Sequence, residues 1–213
     1  MLPDELSNYL GRIDIYLLDQ ILRGHIQPGM RIMDVGCGHG RNLVYFLRSG
    51  FDVAGLDPSP VAIEATRALA RDLAPRLPPD AFRLETAESS TFPEACADVV
   101  ISNAVLHFAK DHSHFQAQLD GAWRLLAEGG LFFARLASSI GLGRPVQAPD
   151  GGARPSGSAG YLVDLETLLV ATERLGGELV DPIKTTNVQE MRAMTTWVLR
   201  KRRSEASSFA ERR

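Results

Sequence analysis

The 213-residue sequence is poor in cysteine, nearly balanced in charge and without a long apolar run. Its two cysteines, Cys37 and Cys96, lie in a glycine-rich turn and in a polar stretch. That excludes a disulfide scaffold and fits a reducing compartment. A formal net charge of -3 gives no basis for a nucleic-acid surface. No run approaches the roughly 20 apolar residues needed to cross a bilayer. Met1 to Glu5 is acidic and lacks the charged-then-apolar pattern of a secretion signal. A cytoplasmic location without membrane association is therefore expected. No internal repeat is visible, and nothing in the sequence reports an oligomeric state.

Hydrophobic residues make up 45% of the chain, enough for one α/β core and too little for two ordinary domains. The expectation is one domain over residues 1–200, a helical cover at 1–28 and a flexible charged tail at 201–213. In the cover, Leu6, Tyr9, Leu10, Ile13, Tyr16 and Leu17 recur at helical spacing, and Gly24 and Pro28 end the helix.

Strands and helices then alternate. Arg31 to Val35 reads as a strand, with a helix from about Gly40 and a second strand over Phe51 to Leu56. Ser59-Pro60 starts a helix, since serine can cap it and proline is tolerated at its first position. Ala81 to Leu84 and Asp98 to Ser102 read as further strands. A helix marked by Phe115, Leu119, Ala122, Trp123 and Leu126 ends at Gly129-Gly130, before a strand over Leu131 to Arg135. This alternation predicts a doubly wound, mostly parallel sheet covered on both faces. Residues 137–160 are rich in Gly, Pro and Ser, too long for an ordinary connection, and are expected to form a lid, with a disordered insertion as the alternative. A helix near Asp164 and strands over Glu178 to Val180 and Met194 to Leu199 follow, the last expected to run antiparallel.

Asp34-Val35-Gly36-Cys37-Gly38-His39-Gly40 joins the first strand to a helix. Ligands of open α/β sheets bind beyond the carboxyl ends of the strands, where glycines allow close approach to the backbone. A dinucleotide fingerprint would place its third glycine at position 41, which is Arg41. About 20 residues after the first glycine, Asp57 closes the second strand, where a carboxylate can accept both hydroxyls of a ribose. Further on come Glu85-Thr86-Ala87-Glu88 and the segment Asp98 to Phe108, which includes Asn103-Ala104-Val105-Leu106-His107-Phe108.

Over residues 30 to 135 these motifs resemble class I S-adenosylmethionine-dependent methyltransferases. The Gly-x-Gly-x-Gly-Arg-Asn run is similar to that of the small bacterial "type 11" and tellurite-resistance-like groups. The resemblance implies a Rossmann-like fold and a cofactor site formed by Asp34, Gly36, Cys37, Gly38, Gly40, Asn42, Asp57, Pro58, Thr86, Ala87 and Asn103. Thr86 stands where members often carry aspartate. The acceptor implied is a small molecule, with Tyr9, Tyr16 and Arg135 as substrate-facing candidates and His107 as the catalytic one.

Methyl transfer from a sulfonium needs positioning and exclusion of water, and a base only where the nucleophile still holds its proton. His107, Asp111, His112 and His114 do not match a familiar metal-ligand spacing, so no metal is expected. Two other readings stand beside the methyltransferase. An NAD-dependent oxidoreductase would explain the parallel sheet and Asp57 but not Arg41. A non-catalytic S-adenosylmethionine-binding protein would keep the same pocket.

Overall fold

The computed structural model describes residues 3–142, 161–189 and 191–203. Among these residues, eight strands form one sheet in the order β3-β2-β1-β4-β5-β8-β6, with β7 also paired to β8. The central strands are β1 (Arg31–Val35), β2 (Asp52–Leu56), β4 (Ala97–Asn103) and β5 (Leu126–Ser138), all parallel, with the two-residue β3 (Phe82–Arg83) on one edge. β8 (Arg192–Lys201) runs antiparallel to β5, as expected of the last strand. The chain order reverses beside β1, between β2 and β4, which is where open α/β sheets bind ligands.

Helices cover both faces. α2 (Ile15–Leu22), α3 (Val44–Arg48) and α4 (Pro60–Leu73) seal one core, with Leu17, Phe46, Leu47 and Ile63 packed on Ile32, Val53, Ile101 and Phe133. α5 (His112–Leu125) and α6 (Leu165–Arg174) seal the other, with Phe115, Leu119 and Leu168 packed on Phe132, Leu136 and Trp197. Ser59, Asp111 and Asp164 each accept a first-turn N–H and set where α4, α5 and α6 begin. Among the described residues no helix is long and apolar enough to cross a membrane.

Several boundaries differ from the sequence expectation. The single N-terminal helix is two, α1 (Pro3–Leu10) and α2. Gly11 takes a φ of 67° against Val44, and Asp14 restarts the helix by accepting the Tyr16 N–H at 3.0 Å. The helix expected from Gly40 begins at Val44, after a series of turns. The helix expected to reach Gly129-Gly130 stops at Leu125, and the chain enters β5 through an irregular register facing Ala97 and Val99.

The strand expected over Glu178 to Val180 is β6 (Gly177–Leu179), and the sequence reading missed β7 (Lys184–Val188). Both pair with the same edge of β8, as one strand interrupted between Leu179 and Lys184, where five steps along the edge face three on β8. The interruption turns Asp181 onto α2, where Arg23 Nη1 donates to it at 2.6 and 2.7 Å and Gln20 at 3.1 Å. Most of the expected lid, residues 143–160, lies outside the described residues, as does the tail beyond residue 203.

Candidate functional site

The glycine turn closes on itself before it meets a ligand. The Gly36 and Cys37 N–H groups both donate to the Leu56 carbonyl, at 2.7 and 3.0 Å, locking the turn to the end of β2. Gly36 has a φ of 74°, and a Cβ there would lie 2.4 Å from Val105. It is glycine because the segment after β4 presses on it. At Gly38, φ is 54° and a Cβ would meet nothing within 4 Å among the described residues, so the backbone stands clear of them, as a cradle for a ligand requires. The third glycine serves packing: a Cβ on Gly40 would strike Leu69 of α4 at 2.8 Å.

Asp57 stands across from this turn. Its Oδ2 accepts the Gly38 N–H at 2.9 Å and its Oδ1 the Ser59 N–H at 2.8 Å, which fixes the carboxylate with lone pairs to spare. Pro58 follows in the same turn before α4. Beyond β3, the Thr86 hydroxyl is shared with Ser89 at 2.8 Å, and the buried Ala87 opens a 3-10 turn whose other residues are exposed.

Asp34 is 1% exposed at the end of β1, and neither carboxylate oxygen has a hydrogen-bond partner among the described residues. Burial pushes its pKa up to about 7, opposed by the Arg41 charge and reinforced by Asp57. Burial also raises the Cys37 thiol, so Cys37 is a packing residue of the turn rather than a nucleophile.

A second group of polar residues gathers beside Asp34, where β4 and β5 end. Asn103 and Arg135 are direct register partners there. Asn103 Oδ1 accepts from Arg41 Nη2 at 3.0 Å. Arg135 Nη1 donates to Asp14 Oδ2 at 2.6 Å, and its guanidinium lies 4.7 Å over the Tyr16 ring. Asn42 Oδ1 accepts the Asp14 backbone N–H at 3.0 Å. Asn42, expected beside the cofactor, thus anchors the N-terminal helices. Arg135, expected to face the substrate, already holds one carboxylate, that of Asp14. Arg41 and Asp14 carried no role in the sequence reading. Arg41 could have been singled out as a cation inside the glycine motif, and Asp14 as a helix cap.

Of the two tyrosines, Tyr16 belongs to this corner through its ring and Tyr9 lies away from it. Tyr16 hydrogen-bonds Thr186 at 2.6 Å, and Tyr9 meets Ser49 at 3.0 Å. His107 is 4% exposed in a 3-10 turn after β4. Its Nδ1 accepts the Ala137 N–H at 3.1 Å, which leaves the proton of the neutral ring on Nε2. In that tautomer neither ring nitrogen has a free lone pair to take a proton. His112 pairs with Tyr161 at 2.6 Å and His114 with Glu88 at 3.2 Å. A groove lined by His112, Phe115, Thr167 and Arg174 lies between α5 and α6, on the other face of the sheet from Asp34 and Arg135.

Residues 33–134 match a family profile described as a methyltransferase domain. An uncharacterized methyltransferase of a Synechocystis species is 32% identical over 107 residues, 50% of this chain and 47% of that protein. A trans-aconitate 2-methyltransferase of Methylobacterium radiotolerans is 36% identical over 111 residues, 51% of this chain and 38% of the relative. The aligned stretch is thus less than half of either relative. A solved S-adenosylmethionine-dependent methyltransferase of Methanosarcina mazei superposes with a TM-score of 0.69 at 18% identity, covering 86% of this chain and 98% of that one. At that identity the likeness establishes the fold.

Proposed function

From a chain whose residues 33–134 belong to the methyltransferase domain family, we propose an enzyme that transfers a methyl group from S-adenosylmethionine to a small-molecule acceptor. The observation that carries this reading is the buried, unpartnered Asp34 carboxylate beside the open backbone at Gly38. A carboxylate deprived of water and of protein donors calls for a donor from a ligand, and an ammonium group supplies one. The turn and Asp57 fit the rest of the cofactor: Gly38 leaves room at the backbone, and Asp57 can take the ribose hydroxyls on its remaining lone pairs. Pro58, Thr86 and Ala87 then flank the nucleoside end.

The cofactor supplies an activated methyl group on a good leaving group. The protein's share is orientation and dryness. The segment Ala104 to Phe108, pressed onto Gly36, closes the floor of the site. His107 lies in that closing segment, and the covering helix α2 brings Tyr16 to the acceptor side, behind Arg135. We place the protein in the cytoplasm.

The experiment has two parts. Calorimetric titration with S-adenosylmethionine and with NAD is expected to give binding to the first alone. Incubation with fractionated cell extract is expected to yield S-adenosylhomocysteine. NAD binding in place of S-adenosylmethionine would favour an oxidoreductase. Binding without turnover in any fraction would favour a non-catalytic sensor.

A further inference from the structure

We propose that the carboxyl ends of β4 and β5 form a carboxylate subsite, in which Arg135 and Asn103 donate to a ligand carboxylate while Asp14 holds the guanidinium in place. The inference rests on the methyltransferase reading of the same corner and specifies what one part of it recognises.

The two residues are register partners on adjacent parallel strands. Adjacent strands lie about 4.8 Å apart, so both side chains leave the sheet side by side. Each has a buried donor without a partner among the described residues, Nε of Arg135 and Nδ2 of Asn103. The amide cannot be turned around to remove its orphan. Arg41 Nη2 donates to Oδ1 at 3.0 Å, and a guanidinium has no lone pair to offer an amide nitrogen. Both unmet groups are thus donors, and the missing partner is an acceptor.

The charge present favours an anion over a neutral carbonyl. Arg41 and Arg135 bring two cations to the corner, and Asp14 already neutralises one. Burial drives Asp34 toward its neutral form, and Asp57 stands beyond β1, on the β2 side of the glycine turn.

The guanidinium is held on the side away from the ligand. Asp14 takes Nη1 at 2.6 Å, the Tyr16 ring backs its plane at 4.7 Å, and Asn42 fixes the Asp14 backbone at 3.0 Å. With Nη1 used, the Nε–Nη2 edge is the fork that can meet both oxygens of a carboxylate. Asp14 is 2% exposed at its side chain and touches no ligand in this arrangement, so it is a positioning residue.

The carboxylate can come from the amino-acid end of the cofactor or from an acidic acceptor, and binding measurements separate the two. The probes are S-adenosylhomocysteine, its decarboxylated analogue, and trans-aconitate added to protein saturated with S-adenosylhomocysteine. The proteins are wild type, Arg135→Gln, and the double variant Asp14→Asn/Arg135→Gln. The double variant leaves no unpaired buried charge and replaces the single one if that fails to fold.

If the cofactor's carboxylate is bound, wild type prefers S-adenosylhomocysteine over the decarboxylated analogue by at least tenfold, and the Arg135 variants lose that preference. If an acceptor carboxylate is bound, S-adenosylhomocysteine affinity is unchanged in the variants while trans-aconitate binding falls at least tenfold. The subsite is overturned if wild type binds S-adenosylhomocysteine and its analogue equally and takes up no trans-aconitate, or if the variants match wild type throughout. A wild type that binds no S-adenosylhomocysteine overturns the methyltransferase reading and the subsite with it.

Discussion

The two ends of the parallel strands treat polar groups in opposite ways. At the amino ends they are paired. Asp98 accepts both the Arg31 backbone N–H and its guanidinium, at 2.8 to 3.1 Å. Arg200 donates to the Gly129 carbonyl at 2.9 Å, and Lys201 to the Trp123 and Leu126 carbonyls at 3.1 and 2.8 Å. At the carboxyl ends, Asp34, Ser102, Asn103 and Arg135 hold five of the six buried side-chain atoms that lack a partner among the described residues. Buried polar groups are otherwise satisfied in folded proteins, so such a concentration marks groups kept for something else. One end of the sheet is built for stability and the other for a ligand.

The sharpest way to break this contrast is through Asp34. Below the ordinary carboxylate value of 3.8 the group is neutral in both folded and unfolded chains, and above about 7 it is charged in both. Between those values only the unfolded chain ionises, so the folded state loses stability as pH rises. The loss is on the order of 4 kcal/mol if the whole shift is expressed. Urea unfolding of the ligand-free protein between pH 4.5 and 7.5 is expected to show that decline, and Asp34→Asn to flatten it. Equal slopes would mean that the carboxylate is not desolvated.

A separation within the glycine turn sharpens the comparison. Gly36→Ala combines a positive φ with a Cβ 2.4 Å from Val105, and should cost about 3 kcal/mol of stability. Gly38→Ala meets nothing and should cost only about 1 kcal/mol, while S-adenosylhomocysteine binding weakens. Denaturation and calorimetry on the pair check this, and a reversed order of stability would remove the distinction between packing and cradle.

Asp57→Ala should weaken S-adenosylhomocysteine binding by about 1.5–3 kcal/mol, the range for hydrogen bonds to a charged group. Unchanged affinity in calorimetry would remove the ribose assignment. The smallest effect belongs to the other end. Arg31→Ala opens a partly exposed pair, with a stability loss of about 0.5–1 kcal/mol and no change in ligand affinity. A weakened ligand affinity there would dissolve the contrast between the two ends.

The legible parts of the fold were those governed by local rules. Ser59-Pro60 and Asp164 started helices as their capping chemistry dictates, and the glycine turn and Asp57 stand at the switch in strand order. β7 was not legible, because Lys184-Thr185-Thr186-Asn187 is mostly exposed and lacks apolar alternation. The break before α2 was hidden because an apolar stripe can be counted straight through Gly11. The corner formed by Asp14, Arg41, Asn103 and Arg135 depends on register between β4 and β5 and on where α2 lands. No spacing in the sequence encodes either.

The interrupted strand at β6 and β7 bears on how copies of this chain meet one another. An open sheet offers unpaired backbone groups along its edges, and long flat edges recruit further strands. Here one edge is β3, only two residues long. At the other, Pro182 has no N–H to contribute, and the bend there commits Asp181 to Arg23 of α2. The bend thus splits what would be one long outer edge into two short strands, the kind of interruption that discourages edge-to-edge pairing.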